Sequence, residues 1–258
     1  MSKETTAHHQ AIIDQFTKQA VPFAAIPGHM DALQLLIQLS RVSSADDVLD
    51  VACGPGIVAC AVAPHARAVT GIDLTLRMIE QARQLQGDKK LENISWQVGD
   101  VVLLPFPDAT FSLVLTRYSF HHFEDPAAVL SEMMRVCRPG GRVMVVDVVL
   151  PLEKVDAYNQ MEKLRDPSHT RALSYPEMAS VIEASGLSNV NTARYSVEME
   201  LERQLQASFP NPGDADKIRE MFVRDIGYDA MGVGANRQGE EIHFAYPVLV
   251  VIGEKHDG

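Results

Sequence analysis

The chain has 258 residues, 46% of them hydrophobic, enough for one large domain with insertions and for a core that needs no disulfide or metal staples. Its formal net charge is −11 with no dense Lys/Arg cluster, which argues against a nucleic-acid substrate and makes a neutral or cationic small molecule the easier partner. Cys53, Cys60 and Cys137 show neither a disulfide framework nor zinc-ligand spacing. The polar start MSKETTAHHQ and the interrupted apolar runs offer no secretion signal and no membrane span, so a cytoplasmic protein is expected.

Helices are predicted at 8–20, where Ile12, Ile13 and Phe16 share a face, and at 29–41, with Pro22, Pro27 and Gly28 breaking the pattern between them. Short apolar strands then alternate with amphipathic segments. Strands are expected over 47–52, 68–73, 94–99, 111–116 and 142–149, and helices over 56–63, 75–86 and 126–137. Arg138-Pro139-Gly140-Gly141 reads as a helix stop and turn. That order means right-handed βαβ units and a parallel sheet. Beyond Val149 the rhythm changes to a helix over 152–165, interrupted by Asp166-Pro167-Ser168. A helix over 175–185 follows, with Ser174 and Glu177 forming a capping box, then a strand over 190–197. Helices at 200–208 and 214–226 precede a last strand over 241–253, whose Pro247 suits an edge strand or a bulge.

Val48-Leu49-Asp50-Val51-Ala52-Cys53-Gly54-Pro55-Gly56 is a strand that enters a glycine turn and opens a helix. Gly54 and Gly56 allow the backbone to approach a ligand, and the helix start offers free N–H groups. Asp73 ends the next strand, where a carboxylate can accept both hydroxyls of a ribose. Two ligands fit this much. Gly54-Pro55-Gly56-Ile57-Val58-Ala59 also matches the dinucleotide pattern G-x-G-x-x-G/A, which keeps an NAD-dependent oxidoreductase as an alternative.

Three features favour S-adenosylmethionine (SAM). Asp50 stands just ahead of the glycines, where it would repel a pyrophosphate but suit the cationic amino-acid end of SAM. Asp100 follows the third strand and can accept from an adenine amino group while Val101 packs on the ring. The fourth strand runs into Arg117-Tyr118-Ser119-Phe120-His121-His122-Phe123, a donor-rich loop at the carboxyl edge, where ligands of open α/β sheets bind.

In order and spacing, VLDVACGPG, VTGIDLT, VGDVVLLPF, FSLVLTRYSFHHF and VCRPGGRVMVVD resemble the class I SAM-dependent methyltransferases. More narrowly they are similar to the ubiquinone/menaquinone-biosynthesis C-methyltransferase-like group, the methyltransferase type 11 domain. The resemblance implies an α/β, Rossmann-like sheet of seven mostly parallel strands, the last antiparallel, with helices on both faces and helical cap insertions. It implies SAM contacts at Asp50, Ala52, Gly54, Gly56, Asp73, Leu74, Met78, Asp100, Val101, Thr116, Arg117 and Tyr118, with Phe16 and Phe23 folding over the cofactor. Ala52-Cys53 stands where relatives often carry small residues after the first acid, as in D-x-G-x-G.

His121, His122 and His169 are the candidate catalytic residues, since an imidazole titrating near neutrality can take a proton from a nucleophile. One of the adjacent pair could equally order the loop by bonding the backbone. His169 and Arg165 could line an acceptor pocket, Tyr228, Tyr246 and His243 could reach it, and Met78 could be plain helix core. No metal is expected, because the histidines match no tetrahedral ligand spacing. The expected layout is an N-terminal helical lid at 1–41 and a methyltransferase domain at 42–258, with substrate-cap insertions at 150–175 and 197–240. The expected activity is methyl transfer from SAM, leaving S-adenosylhomocysteine, to carbon or oxygen of a small molecule, by a monomer or homodimer. The alternative is a SAM-binding protein of the same fold with other chemistry or none.

Overall fold

The computed structural model describes residues 7–24, the last four by backbone alone, and residues 32–256. The chain opens on two helices, α1 (Ala7–Ala24) and α2 (Leu33–Ser40). Apolar, β-branched runs then build β1 (Asp47–Val51), β2 (Ala68–Asp73), β3 (Ile94–Val98), β4 (Phe111–Arg117) and β5 (Cys137–Leu150). These five are parallel, in the order β3-β2-β1-β4-β5, with Val48 opposite both Val69 and Leu113. Crossovers α3 (Ile57–Val62), α4 (Leu76–Asp88) and α5 (Pro126–Val136) connect them. Both faces are covered: Leu113 and Leu115 join one core, and Val114 between them joins the other.

After β5 come α6 (Val155–Arg165), β6 (Leu173–Ser174), α7 (Tyr175–Ala184), β7 (Ser188–Glu200) and α8 (Leu201–Ser208). The chain continues through α9 (Asp214–Asp225) and β8 (Asn236–Gln238) to β9 (Glu241–Glu254). β9 inserts antiparallel between β5 and β7, which makes the main path β3-β2-β1-β4-β5-β9-β7, while the short β6 pairs with β5 and β8 with β9. The capping box closes as its spacing demands: Ser174 N–H donates to Glu177 at 2.7 Å and Glu177 N–H to Ser174 Oγ at 3.4 Å. No helix among the described residues is long and apolar enough to cross a membrane.

Three local expectations change. Pro22 does not break the first helix, because it falls in the last turn, where the ring removes a single intrahelical bond. Pro139-Gly140-Gly141 lies within β5 instead of forming a separate turn. The β4–β5 register shifts between Phe111 and Leu113, and Gly140 takes φ 68°, so the extra residues bulge out of the ladder. Pro247 stands in an inner strand, not an edge. Pairing of β9 to β5 begins at Val248, so Pro247 faces only Ser196 of β7 and its missing N–H costs no bond to β5.

Candidate functional site

β1 ends in a turn with three left-handed residues, Ala52 (φ 54°), Gly54 (φ 51°) and Gly56 (φ 78°). Gly56 cannot be replaced without rearrangement, since a Cβ there would sit 2.6 Å from the Trp96 ring and 2.8 Å from Ala82 Cβ. Ala52 does carry a Cβ, and the conformation costs it about 1–2 kcal/mol, strain of the kind that collects at ligand sites. Asp73 pins the turn from the neighbouring strand, accepting Gly54 N–H and Thr75 N–H at 2.8 Å each. Asp50, 2% exposed, accepts Ala59 N–H at 3.0 Å in the first turn of α3. Burial pushes the Asp50 carboxyl up to about 7, against the Ala59 hydrogen bond and with help from the Asp73 charge. Burial also raises Asp73, in spite of its two backbone donors.

Around this turn lies a cavity of about 250 Å³. Among the described residues five carboxylates line it, Asp50, Asp73, Asp100, Glu124 and Asp125, against one guanidinium, Arg117. Leu74, Met78 and Val101 make an apolar wall, and Ala52, Gly54 and Tyr118 complete it on the sheet side. From α1, His8, His9, Ile12 and Phe16 close the opposite side, with His8 Nε2 2.7 Å from the His122 carbonyl. Two residues expected at the cofactor stay outside. Gly56 is packed beneath Trp96, and Thr116 is buried in β4 with its hydroxyl donating to the Val51 carbonyl at 2.7 Å. The Phe23 side chain lies outside the described residues.

Past β4, Tyr118 (φ 56°) turns the chain into a single helical turn, Phe120–His122. This turn separates the histidines. His121 Nδ1 lies 2.6 Å from Asp147 Oδ1, and Asp147, 2% exposed in β5, also accepts Phe120 N–H at 2.7 Å. A carboxylate there holds the proton on Nδ1 and leaves Nε2 as the basic nitrogen. Burial opposes the charged ring of His121, but the Asp147 charge and hydrogen bond outweigh it and raise its pKa. His122 behaves oppositely. Its Nδ1 is 3.1 Å from the Ser168 carbonyl, and burial, then the charge of His121, push it down to about 4. His169 lines neither cavity described here, contrary to its candidacy as a catalytic residue. Its Nε2 is tied to Asn159 Oδ1 at 2.7 Å, and burial and the other two histidines drive its pKa down, which leaves a neutral buried ring.

A second cavity, of about 80 Å³, opens beside His121. Tyr158, Tyr246, Val148 and Met199 wall it, and Glu162, Arg165 and Gln204 supply its polar edge. Arg165, expected to line an acceptor pocket, lines this cavity, with Nε on Glu162 at 2.9 and 3.0 Å and Nη1 on Ser208 Oγ at 3.2 Å. Phe16, Tyr118 and His122 line both cavities. Tyr228 is 84% exposed and His243 pairs with Glu241, so neither reaches the site. Sequence reasoning missed Asp147, Glu162 and Gln204. For Asp147 a signal existed, a lone acid inside the apolar run 143–149; Gln204 carried none.

A model of the methyltransferase domain matches residues 49–145. The uncharacterized methyltransferase YcgJ of Bacillus subtilis is 29% identical over 228 residues, 86% of this chain and 90% of that one. Its crystal structure matches with a TM-score of 0.80 at 27% identity, covering 88% of this chain and 99% of that one. A demethylmenaquinone methyltransferase of Deinococcus radiodurans is 35% identical over 144 residues, 50% of this chain and 59% of that relative, so less than two thirds of its length is spanned. A phosphoethanolamine N-methyltransferase of Haemonchus contortus, in complex with S-adenosylhomocysteine, shares the fold at 15% identity and a TM-score of 0.63, over 87% and 52% of the two chains. With the glycine turn, the acids at the strand ends and this fold, the chain carries a methyltransferase domain over residues 49–145 and is similar in sequence and fold to class I SAM-dependent methyltransferases.

Proposed function

We propose that this chain transfers a methyl group from SAM in the first cavity to a small molecule in the second. The observation that carries this reading is the junction, where Phe16, Tyr118 and His122 line both cavities and His121 stands on the far side. The first cavity's residues fit the cofactor. Five carboxylates against one guanidinium suit a sulfonium and an ammonium and would repel a pyrophosphate, which argues against a dinucleotide. Asp73 would hold the ribose hydroxyls, Asp50 the cationic amino-acid end and Asp100 the adenine amino group, with Met78 and Val101 packed on the rings.

When bound, SAM supplies an electrophilic methyl group, which leaves the protein to align the acceptor, exclude water and handle the acceptor's proton. α1 excludes water from one side: Gln15 and Gln19 donate to the Ser208 carbonyl at 2.6 and 2.9 Å and tie the helix to α8. His121 takes the proton on Nε2 as the nucleophile forms. Asp147 keeps the imidazole in that tautomer and stabilises the imidazolium, a positioning role. Such a base suits a hydroxyl or an activated carbon acid, each of which becomes a nucleophile on losing its proton.

Calorimetry with SAM and S-adenosylhomocysteine, followed by transfer of label from methyl-labelled SAM to a panel of small acceptors, tests the reading. Binding of both nucleosides and label on a small molecule are expected. Absence of nucleoside binding, or binding unchanged in Asp73→Ala, would sink it.

A further inference from the structure

The chemistry of the second cavity narrows the class of acceptor, on the reading that this cavity seats it. Gln204 lines the cavity and is 8% exposed, yet its Oε1 has no hydrogen-bond partner among the described residues. The Tyr246 hydroxyl, on the wall of the same cavity, donates its proton to Glu162 at 3.1 Å and so does not answer it. A buried amide oxygen left without a donor is destabilising, unless a ligand brings a donor to it. His121 Nε2 is the second acceptor atom, and no hydrogen bond to it is present among the described residues.

Charge points the same way. Glu162, Asp166 and, behind His121, Asp147 put three carboxylates around the cavity, against Arg165 and the titratable ring of His121. Arg165 is bound by Glu162 through two of its nitrogens and lies 4.0 Å from Asp166, so its charge is already answered. Among the described residues, even with His121 protonated, one negative charge is left over. An incoming anion would meet that charge after losing its own hydration, and nothing among the described residues of the cavity repays that loss. Size sets the third limit. A cavity of about 150 Å³ admits benzene, and this one is about 80 Å³, room for a compact head and no more.

We propose that the second cavity takes a compact, uncharged acceptor carrying at least two N–H or O–H donors, one for His121 and one for Gln204, and turns away carboxylates and phosphates.

The test uses two probes of one shape, acetamide and acetate, which differ in charge and in donors. Protein loaded with S-adenosylhomocysteine is titrated with each, and binding is followed by ligand-observed NMR. Acetamide is expected to bind at least about tenfold more tightly, the worth of one hydrogen bond made or refused at a buried site. Gln204→Leu, which leaves the cavity's charge and His121 in place, is expected to reduce the preference by at least about threefold without abolishing it, and Gln204→Glu, which keeps the size and an acceptor oxygen, to weaken acetate further. Acetate binding as tightly as acetamide, no measurable binding of either, or a preference undiminished in Gln204→Leu overturns the proposal. Loading with S-adenosylhomocysteine is read by calorimetry before the probes are added, so failure of the cofactor cavity and failure of this inference give different results.

Discussion

The first cavity is walled mainly by the turns that follow β1, β2, β3 and β4 and by α1, while the second draws on side chains from α1, α6, α8, β5, β7 and β9. In the first, the acids sit at strand ends whose positions follow from the parallel register, and backbone N–H groups hold two of them: Gly54 and Thr75 for Asp73, Ala59 for Asp50. In the second, contacts span the chain, with Tyr246 on Glu162 and Arg165 on Ser208. The difference teaches where each kind of specificity resides. A cradle made from a shared sheet can be kept whole while the walls beside it, built from helices and later strands, are exchanged for a new acceptor.

The largest expected effect falls on the base that faces the second cavity. His121→Gln should lower the methyl-transfer rate by about 10²–10⁴-fold and leave SAM affinity within about twofold, measured with label transfer and calorimetry side by side. A parallel loss of SAM binding would mean that the two cavities are not separable. Asp147→Asn sharpens the same point through pH. The carboxylate raises the pKa of His121, and the base must be neutral to act, so activity should rise as pH passes through that raised value. Without the charge the pKa falls, and the rising limb of the profile should move to lower pH as the rate drops. A limb that stays in place would reduce Asp147 to a structural role.

Next comes the cradle. Asp73→Ala removes the acceptor of two backbone donors and should weaken SAM binding by about 100-fold, since hydrogen bonds to a charged group are worth about 1.5–3 kcal/mol each. Asp50 should make that binding pH-dependent. Its carboxyl, pushed up to about 7 by burial, must ionise to meet a cation, so affinity should fall about tenfold for each pH unit below 7 and level off above it. Asp50→Asn should flatten the profile below 7. The smallest effect serves as a control outside both cavities: Ser174→Ala opens the capping box of α7 and should cost about 1 kcal/mol of stability in a melting experiment, with SAM affinity unchanged.

Much of this architecture is legible in the chain order of residues. The alternation of apolar runs and amphipathic segments predicts β1 to β5 and their crossovers to within a few residues, because a parallel sheet buried on both faces demands continuous Val/Ile/Leu runs. Asp50, Asp73 and Asp100 follow from the same pattern, since strand ends and the turns after them are local features. Pro139 and Pro247 mislead for the converse reason. A proline's cost depends on which neighbour its N–H would have faced, and that neighbour is more than 20 residues away for Pro139 and about 50 away for Pro247.

By itself, then, the sequence determined the fold class, the glycine turn and the three acids of the cradle. Each of these depends on residues close together in the chain, or on strand periodicity. Only the tertiary structure distinguished the histidine proposed as the base, because His121, His122 and His169 look alike as letters and differ by the partners the fold brings to them: Asp147, Ser168 and Asn159. It alone also assembled the second cavity. Glu162, Gln204 and Tyr246 carry no mutual spacing, and they meet only when α6 and α8 pack against β9.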